Sequence, residues 1–381
     1  MKYQKICIIG DGLSGLVIAT ALADLDLNID IYYQDSKVSY KQDGRTTAIS
    51  ESNFRFLSKK INIKNQNLFW PCKKINLFYE KDQTFLNFLN FEEKNKNLMY
   101  IFKNSQFKIF LKKNLKKNRK INFLNKKVSD LNFSKNYVKT NNNKNFYDII
   151  LLCAGSKSKL YDRIKPGRSI FKNYNETAIT TNIKHKFQIN NPSQYFLKEG
   201  PFAILPIKEN CFSLVWTVKK EFYINNLKNL KKIINYKLQK IFLTRKKFNI
   251  DKIDSFPIYL NLEKKYFKRN TLIFGEGIHS VHPLAGQGFN LVIRDIKKLS
   301  ELVEKNIKLG LSIKDSFILD DFFNQREPEN TLFGLGIHFT NEFFKRYDMI
   351  EPVKFSILNN ISKLKKVKNL SEYISDKGFL T

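Results

Sequence analysis

Residues 5–33, KICIIGDGLSGLVIATALADLDLNIDIYY, decide the fold class. Lys5–Ile9 is a short apolar run with β-branched residues, and the glycine-rich segment 10–15, GDGLSG, follows it directly. An apolar, helix-prone stretch and a second strand pattern at 29–33 complete a strand, turn, helix and strand within about 30 residues. This order predicts the opening of a Rossmann-like nucleotide-binding fold.

The three glycines of this GxGxxG pattern have separate physical roles. Gly10 permits a tight turn, Gly12 lets the backbone approach a pyrophosphate, and Gly15 lets the helix pack closely on the strand. The N-terminus of the helix offers N–H groups and the positive end of its dipole to phosphate oxygens. We therefore predict a dinucleotide site, with an ordinary glycine turn as the alternative.

The composition is strongly basic. The chain has 381 residues, with 67 Lys+Arg, 35 Asp+Glu and a formal net charge of +32. Its apolar content of 42% is enough for a sizeable core, which excludes a disordered basic tail protein. The excess lysine is spread beside many Asn, Ile and Phe residues, as drift in an AT-rich genome would produce. Without a zinc finger or RNA-binding motif we expect no specific nucleic-acid recognition, while an anionic membrane surface stays open.

The sequence pattern near the N-terminus and the spacing of the cysteines predict an intracellular protein. No run approaches 18 uninterrupted apolar residues, and the short apolar stretch near the N-terminus is a strand pattern, so neither a transmembrane helix nor a signal peptide is predicted. The cysteines are far apart, without CxxC or zinc spacing. We expect buried thiols in a reducing cytosol. They are Cys7, Cys72, Cys153 and Cys211.

A lysine-rich helix is predicted in the middle of the chain. Phe107, Phe110, Leu111 and Leu115 recur at helical spacing, and Asn104 or Ser105 is the expected N-cap. Lysines occupy the remaining face, which is typical of a solvated surface. They are Lys108, Lys112, Lys113 and Lys116.

Further segments predict an alternation of strands and helices. Residues 148–153, DIILLC, have the pattern of a buried strand, and residues 166–257 are rich in strand patterns. A helix of Lys and Leu at about 226–244 interrupts them, and the pattern is helical from about residue 315 onward.

Three separated segments resemble the flavin-dependent aromatic hydroxylases. Residues 43–50, DGRTTAIS, resemble the family's DxR…A(I/L)S segment, and residues 275–290, GEGIHSVHPLAGQGFN, resemble its GDAAHxxHPxAGQGxN block. Residues 201–218, PFAILPIKENCFSLVWTV, are similar to the GPxAxLPL…SLVWT segment of the ubiquinone-biosynthesis hydroxylases of the UbiH/UbiF type. The 275–290 block is highly specific, and the order of the segments covers nearly the whole chain.

The resemblance implies an α/β fold in which a Rossmann-like FAD-binding domain is interrupted by a β-sheet substrate domain and followed by a C-terminal helical segment. We assign the FAD-binding domain to residues 1–70, 98–165 and 258–335. The substrate domain is assigned to residues 71–97 and 166–257. The C-terminal helices are assigned to residues 336–381.

The resemblance also implies a function. The family uses FAD, NAD(P)H and O2, through a flavin C4a-hydroperoxide, to hydroxylate the ring of a polyprenylated phenol. The implied partners are this substrate and either an anionic membrane surface or other ubiquinone-biosynthesis proteins. The expected location is cytoplasmic, with peripheral attachment to the inner membrane left open. Two alternatives also stay open: another FAD oxidoreductase acting on a hydrophobic substrate, and a flavin-fold subunit that has lost catalysis.

Site residues follow from the matched motifs. Pro283 fixes the backbone, while Gly286 and Gly288 let it approach the flat isoalloxazine. The helix that begins near residues 287–290 would point N–H groups at the pyrimidine edge of the flavin. The implied cofactor-binding set is Gly10, Gly12, Gly15, Arg45, Glu276, Pro283, Gly286, Gln287, Gly288 and Asn290.

Three residues are the candidates nearest the flavin ring, namely Arg45, His282 and Pro283. No catalytic acid or base is assigned, because the cofactor supplies the oxygen chemistry. His279 and His282 are three residues apart, but two histidines in such a loop do not predict a metal site.

The chain departs from the family pattern at the adenosine end and in the 275–290 block. The acid expected at the end of the second strand is Tyr33, and Gln34 and Asp35 are the nearest polar residues. Glu276 replaces the family's Asp, and Gly277 replaces the following Ala. We expect Gly277 to leave room for the longer acid.

A third departure lies in the middle of the chain. The family's ADGxxSxxR is CAGSKSKLY here, residues 153–161, so its Asp is Ala154 and its Arg is Tyr161. The loss of a hydrogen bond to a charged group costs roughly 1.5–3 kcal/mol. FAD binding could survive this loss through the remaining contacts.

The C-terminal segment has an apolar stripe with a basic flank. Phe355, Leu358, Ile361 and Leu364 recur about every three residues, among several lysines. This pattern predicts either contact with an anionic membrane or packing against the body of the protein. The lysines are Lys354, Lys363, Lys365, Lys366 and Lys368.

Overall fold

The computed structural model describes residues 4–34, 44–61, 68–82, 84–141, 143–155, 158–164, 169–345, 356–358 and 376. Within these ranges the chain builds a mainly parallel sheet, a larger mainly antiparallel sheet and two small sheets. Asp35, Asp43 and most of the predicted C-terminal stripe lie outside the described residues, although Leu358 is described and buried.

The parallel sheet has the strand order β19-β20-β12-β1-β2-β8. Its strands are parallel to their neighbours except for the β19–β20 pair. The central strand β12, with the sequence IILL, is buried along its whole length, as expected for a strand that is covered on both faces. The strands are β1 (Gln4–Ile9), β2 (Leu27–Tyr33), β8 (Ile121–Asn125), β12 (Ile149–Leu152), β19 (Phe267–Lys268) and β20 (Thr271–Ile273).

The helices pack against these sheets. The first helix is apolar almost all round, and it is buried between the parallel sheet and two other helices, α3 and α6. The helices are α1 (Leu13–Leu22), α2 (Glu51–Lys60), α3 (Asn104–Leu115), α4 (Lys220–Asn225), α5 (Leu230–Ile241), α6 (Gly288–Lys308) and α7 (Ile318–Lys345).

The large sheet has the order β21-β18-β13-β16-β15-β14-β5-β6, with β17 beside β13. Along β16 the side chains alternate: Phe212, Leu214 and Trp216 pack against α5, while Ser213 and Thr217 point to the opposite face. The strands are β5 (Lys74–Lys81), β6 (Thr84–Glu92), β13 (Ser169–Lys184), β14 (Ser193–Leu197), β15 (Gly200–Lys208), β16 (Cys211–Lys219), β17 (Asn249–Ile250), β18 (Asp254–Glu263) and β21 (His279–Ser280).

The two small sheets are antiparallel. One has the order β3-β7-β4, and its strand β3 leads directly into α2. Its strands are β3 (Thr46–Ser50), β4 (Trp70–Cys72) and β7 (Met99–Lys103). The other has the order β11-β10-β9, with β9 (Asp130–Asn132), β10 (Tyr137–Thr140) and β11 (Asn143–Phe146).

The predicted α/β class with a Rossmann-like sheet beside a β-sheet unit is confirmed. Two of the predicted domain boundaries fall inside elements of the structure. The boundary at 257/258 falls inside β18, which continues to Glu263 because it pairs with β13 on both sides of that point. The boundary at 335/336 falls inside α7, which runs without interruption to Lys345. Hydrogen-bond pairing and helix continuation, and not a change in composition, set these limits.

Two smaller expectations concerned helix ends and cysteines. The N-cap of α3 is Lys103, and neither predicted residue caps it, because the Asn104 side chain accepts a hydrogen bond from Thr47 Oγ1 at 2.7 Å. The four cysteines are buried free thiols.

Candidate cofactor-binding site

A cavity of about 330 Å³ opens at the carboxyl end of the parallel sheet, where β1 turns into α1. Ligands of open parallel sheets bind in such a crevice. The wall combines the glycine turn with residues from β3, α3, the end of β12, the segment after β20 and the start of α6. It is formed by Gly10, Asp11, Gly12, Leu13, Ser14, Arg45, Thr47, Asn104, Lys108, Cys153, Ala154, Gly155, Phe274, Glu276 and Phe289.

The three glycines of the turn differ in their surroundings. Gly10 has a φ of +116°, and a Cβ there would lie 2.2 Å from the carbonyl oxygen of Cys153. A Cβ on Gly15 would lie 2.1 Å from the carbonyl oxygen of Gly10, so α1 sits directly against the turn. Gly12 is different, because no atom of the described residues lies within 4 Å of a Cβ built on it. The open space beside Gly12 is where a diphosphate at the N-terminus of α1 would lie.

The charges around this space suit an anionic group. Lys108 and Arg45 line the cavity beside the N-terminus of α1, which has no acidic residue in its first turn. The exposed Glu276 lies in the same wall, where a carboxylate can accept hydrogen bonds from hydroxyl groups. The donor set thus fits the diphosphate and the ribityl hydroxyls of FAD.

Lys112 lies over the ring of Tyr33, the residue at the position where a ribose-binding acid was expected. Lys112 Nζ lies 4.1 Å from the centroid of the Tyr33 ring and 3.1 Å from Asp11 Oδ2. The prediction of a uniformly solvated lysine face on α3 is therefore wrong for Lys108 and Lys112, since both are half-buried. Lys108 lines the cavity, and Lys112 pairs with Asp11 of the glycine turn. Lys113 and Lys116 are exposed, as expected.

The departures at Tyr161 and Gly277 meet in space. Tyr161 is buried, and a Cβ on Gly277 would lie 2.8 Å from Tyr161 Cζ and 2.6 Å from Ile273 Cγ2. The absent side chain of Gly277 therefore makes room for the tyrosine ring, and not for Glu276 as the sequence suggested. Burial raises the pKa of the Tyr161 phenol, so this ring stays neutral in its pocket.

The loop before α6 is fixed by a buried histidine. His282 Nδ1 accepts a hydrogen bond from the backbone N–H of Leu284 at 3.2 Å, and His282 Nε2 lies 3.2 Å from Glu176 Oε2 on β13. Burial lowers the pKa of His282, so the neutral ring carries its proton on Nε2 and donates it to Glu176. The other oxygen of Glu176 pairs with Lys345 on α7 at 3.0 Å. The loop is thus tied to the large sheet and to α7.

The Asn290 side chain is used within the protein. Its Oδ1 accepts hydrogen bonds from the backbone N–H of Ser50 at 2.9 Å and from Asn53 Nδ2 at 2.8 Å, and its Nδ2 donates to the Ala48 carbonyl at 3.2 Å. Gly286, with a φ of +65°, brings the loop backbone against the same strand. Asn290 therefore holds β3 and α2 against α6, and a cofactor contact would come from its backbone.

The two histidines of the 275–290 block have different partners. His279 Nε2 lies 2.7 Å from Asp295 Oδ2. The other carboxylate oxygen of Asp295, Oδ1, accepts a hydrogen bond from Arg326 Nε at 2.7 Å. Burial alone would raise the pKa of Asp295, but Arg326 and His279 hold that pKa below its usual value. His282 turns away to Glu176. Among the described residues, no group of three or more His, Cys, Asp or Glu side chains could hold a metal ion.

Part of the predicted site converges on the cavity and part does not. Gly10, Gly12, Arg45 and Glu276 line it. Gly15 lies under the turn, and the other predicted residues belong to the loop and the start of α6. They are His282, Pro283, Gly286, Gln287, Gly288 and Asn290.

Other lining residues were not predicted from sequence. Thr47 lay within a quoted motif, and Phe274 and Phe289 lay next to or inside another, so proximity to these motifs was the available signal. Lys108 and Asn104 carried no such signal, because they belong to a helix that only the folded chain brings to the turn.

The curated relatives of this chain include several enzymes of ubiquinone biosynthesis. Ubiquinone biosynthesis monooxygenase COQ6 of Dictyostelium discoideum is 26% identical over 250 residues, which cover 52% of this chain and 50% of that protein. Ubiquinone hydroxylase UbiL of Rhodospirillum rubrum is 29% identical over 162 residues, covering 42% and 38%. The chain is a homologue of the ubiquinone-biosynthesis hydroxylases. The family resemblance predicted from the motifs is thus confirmed.

The chain matches half or less of these relatives' own length. The 3-demethoxyubiquinol 3-hydroxylase of Escherichia coli is 27% identical over 146 residues, covering 38% of the chain and 37% of that enzyme. No protein-family model matches the chain.

Solved structures of FAD-dependent monooxygenases share the fold of this chain. The p-nitrophenol 4-monooxygenase PnpA of Pseudomonas putida has a TM-score of 0.79 at 15% identity, covering 100% of this chain and 99% of PnpA. HpxO of Klebsiella pneumoniae, solved with FAD and uric acid, has a TM-score of 0.76 at 12% identity, covering 99% and 98%. The TM-scores show a common fold, and at these low identities the likeness is one of fold alone. Within the described part of the chain, no helix is both long and apolar enough to span a bilayer.

Proposed function

We propose that this protein is an FAD-dependent monooxygenase that hydroxylates the aromatic ring of a prenylated phenol in ubiquinone biosynthesis, with NAD(P)H and O2 as co-substrates. The observation that carries the proposal is the cavity at the glycine turn, where open space beside Gly12 meets Lys108, Arg45 and Glu276. The relatives named for the same pathway support the choice of substrate class.

FAD would be held by groups at both ends of this cavity. The N–H groups at the start of α1 and the cation of Lys108 would bind its diphosphate, and Glu276 would accept hydrogen bonds from its ribityl hydroxyls. Bound FAD would supply the reduction and oxygen chemistry. The chain's own task is then to orient the two reactants and to exclude water from them.

The inner face of the large sheet offers a place for the substrate ring. This face contacts Arg45 of the cavity wall. The guanidinium carbon of Arg45 lies 5.6 Å from the centroid of the Phe256 ring on β18. On the same face Asn182 and Ser213 are directly opposite each other, and Thr180 is two residues from Asn182. Thr180 Oγ1, Asn182 Oδ1 and Ser213 Oγ are buried without a hydrogen-bond partner among the described residues. A phenolic hydroxyl is a ligand that would satisfy such atoms.

The test is reconstitution of the purified protein with FAD. We expect a yellow protein that oxidises NAD(P)H faster when a short-chain prenylated phenol is added. The product should gain one oxygen atom from labelled dioxygen, as measured by mass spectrometry. A protein that binds no flavin would contradict the proposal. Flavin-dependent NAD(P)H oxidation without an oxygenated product would instead favour another oxidoreductase.

Gly12→Val separates flavin binding from folding. Gly12 has a φ of −66°, and within the described part of the chain no atom lies within 4 Å of its Cβ position, so valine fits the free protein but fills the diphosphate space. We expect the flavin content to be lost while the melting temperature of the flavin-free protein stays unchanged. Gly336→Val is the matched control, because a Cβ on Gly336 also meets nothing within 4 Å. Full flavin content in Gly12→Val would rule out the assigned site.

A further inference from the structure

The outer face of the large sheet is covered by α4, α5 and the turn that follows, which we call the α4–α5 cover (residues 220–247). On α5, Leu230, Ile234 and Leu238 are buried against the sheet. The opposite side of the helix, with Lys232 and Tyr236, faces solvent along its length. The cover thus presents one outward surface, on the opposite face of the large sheet from the one that meets Arg45.

The charge of this surface is mostly positive, and the one acidic residue of the cover is the exposed Glu221 in the first turn of α4. Residues 222–250 contain no Asp or Glu. Lys237 and Lys240 pair with Glu199 and Glu80 of neighbouring strands or turns. The remaining cations of the segment are exposed to solvent: Lys228, Lys231, Lys232, Arg245, Lys246 and Lys247.

Large apolar side chains stand out of the same surface. Ile224 and Leu227 are 52% and 51% exposed, Tyr236 is 63% exposed and Leu243 is 93% exposed. Ile224 and Leu227 precede α5, Tyr236 lies on its outer side, and Leu243 follows it. The helix itself is about 18 Å long. Apolar groups and cations therefore alternate along the whole cover.

Leu243 is the least expected of these residues. It follows α5 with a φ of +47°, and the next N–H, that of Thr244, returns to the Gln239 carbonyl at 3.0 Å. Glycine is the usual residue at this position of a helix end, because a side chain in the left-handed region strains the backbone. A solvated leucine recovers none of that strain by burial. No contact within the described residues explains a leucine here.

We propose that the α4–α5 cover docks on the surface of an anionic phospholipid bilayer. Leu243 and its apolar neighbours would insert among the headgroups, and the exposed lysines and Arg245 would contact the phosphates. A lipid surface fits better than a protein, because the apolar groups are interspersed with cations instead of forming one continuous patch. This docking does not depend on the bound cofactor or on the proposed reaction.

Co-sedimentation of the full chain with vesicles tests the proposal. We expect binding to vesicles of phosphatidylcholine mixed with phosphatidylglycerol, little binding to phosphatidylcholine alone, and weaker binding as salt is raised. Leu243→Gly should weaken binding about ten-fold, the effect of removing one inserted leucine side chain. Its melting temperature should not fall, since glycine suits the backbone at this position. Leu311→Gly, at a half-exposed leucine after α6, is the matched control.

A second variant tests the charge. Lys246→Gln combined with Lys247→Gln should weaken binding at least ten-fold, whereas the same change at Lys116 and Lys117, exposed beyond α3, should have little effect. Equal binding by the cover variants and the wild type would overturn the proposal. So would equal binding to both kinds of vesicle, or self-association that the cover variants abolish. Loss of binding only on Gln substitution of Lys363, Lys365 and Lys366 would place the contact at the C-terminal segment instead.

Discussion

Tyr161 and Gly277 show how two unusual residues depend on each other. Each departs from the family pattern, and by itself each looks like a loss: an arginine replaced by a phenol, and an alanine reduced to glycine. In the folded chain the tyrosine ring occupies the space that a Cβ at position 277 would need. The pair therefore acts as one packing unit next to Glu276.

We expect Gly277→Ala to destabilise the protein by about 1–3 kcal/mol, the usual effect of overpacking a core site. The reason is that the added Cβ would lie 2.8 Å from Tyr161 Cζ and 2.6 Å from Ile273 Cγ2. Combining it with Tyr161→Leu should recover part of that loss, although Tyr161→Leu alone also destabilises. Denaturant unfolding of the four proteins measures the coupling. Strictly additive effects would mean that the two residues do not share this space.

The helix α3 contacts the core, the cavity and the solvent with different faces. Phe107, Leu111 and Leu115 are buried in the core of the nucleotide-binding region. Lys108 and Lys112 are four residues apart and therefore share one stripe, which faces the cavity and the glycine turn. The other lysines of the helix face solvent. A single amphipathic element thus provides packing, cofactor-side charge and surface charge.

Lys108→Ala should weaken FAD binding about ten-fold, the lower end of what a hydrogen bond to a charged group contributes. The affinity is measured by titration of the flavin-free protein with FAD and detection of flavin fluorescence quenching. Lys113→Ala is the control, because Lys113 is exposed on the same helix and should leave the affinity unchanged. Equal affinities for the two variants would mean that the lysine stripe does not contact the diphosphate.

On the scale of the whole molecule, the loop before α6 is connected to the large sheet and to α7. His282 binds Glu176 of the large sheet, and Glu176 also binds Lys345 near the end of α7. Lys345 lies 3.5 Å from Glu342, which is 3.4 Å from Lys172 on β13. A neutral His282 is required for this arrangement, since its Nδ1 accepts a backbone hydrogen bond.

Acid should therefore weaken the fold. Burial lowers the pKa of His282, and also those of His185 and His338, below the value of about 6.5 in an unfolded chain. The unfolded chain then binds protons that the folded chain does not, so this stability is fully present above about pH 6.5 and is lost as the pH falls toward the folded pKa values.

The melting temperature should stay level from about pH 8 to 7 and fall as the pH decreases from about 6.5 to 5. Calorimetry across this range measures the effect. His282→Gln keeps a side chain that can donate to Glu176 but does not titrate, and it should reduce the slope. A wild-type profile that is flat from about pH 8 to 5, or an unchanged slope in the variant, would show that His282 is not the group responsible.

The sequence by itself determined the class of the fold, the glycine turn and the family. These are local properties: hydrophobic periodicity selects strand or helix, and a residue such as Gly10, with a φ of +116°, is needed wherever the chain must turn in this way. The order of the quoted motifs then sufficed to indicate the flavin-dependent hydroxylases. The motifs also singled out Gly12, Arg45 and Glu276, which line the cavity.

Only the tertiary structure decided which distant residues meet. It brought Lys108 to the glycine turn, set Tyr161 into the space beside Gly277, and turned the Asn290 side chain toward β3. It also carried β18 past the predicted domain boundary. The physical reason is that the polar face of a helix has the same periodicity whether solvent or a cavity lies beside it. What lies there depends on how elements far apart in the chain pack together.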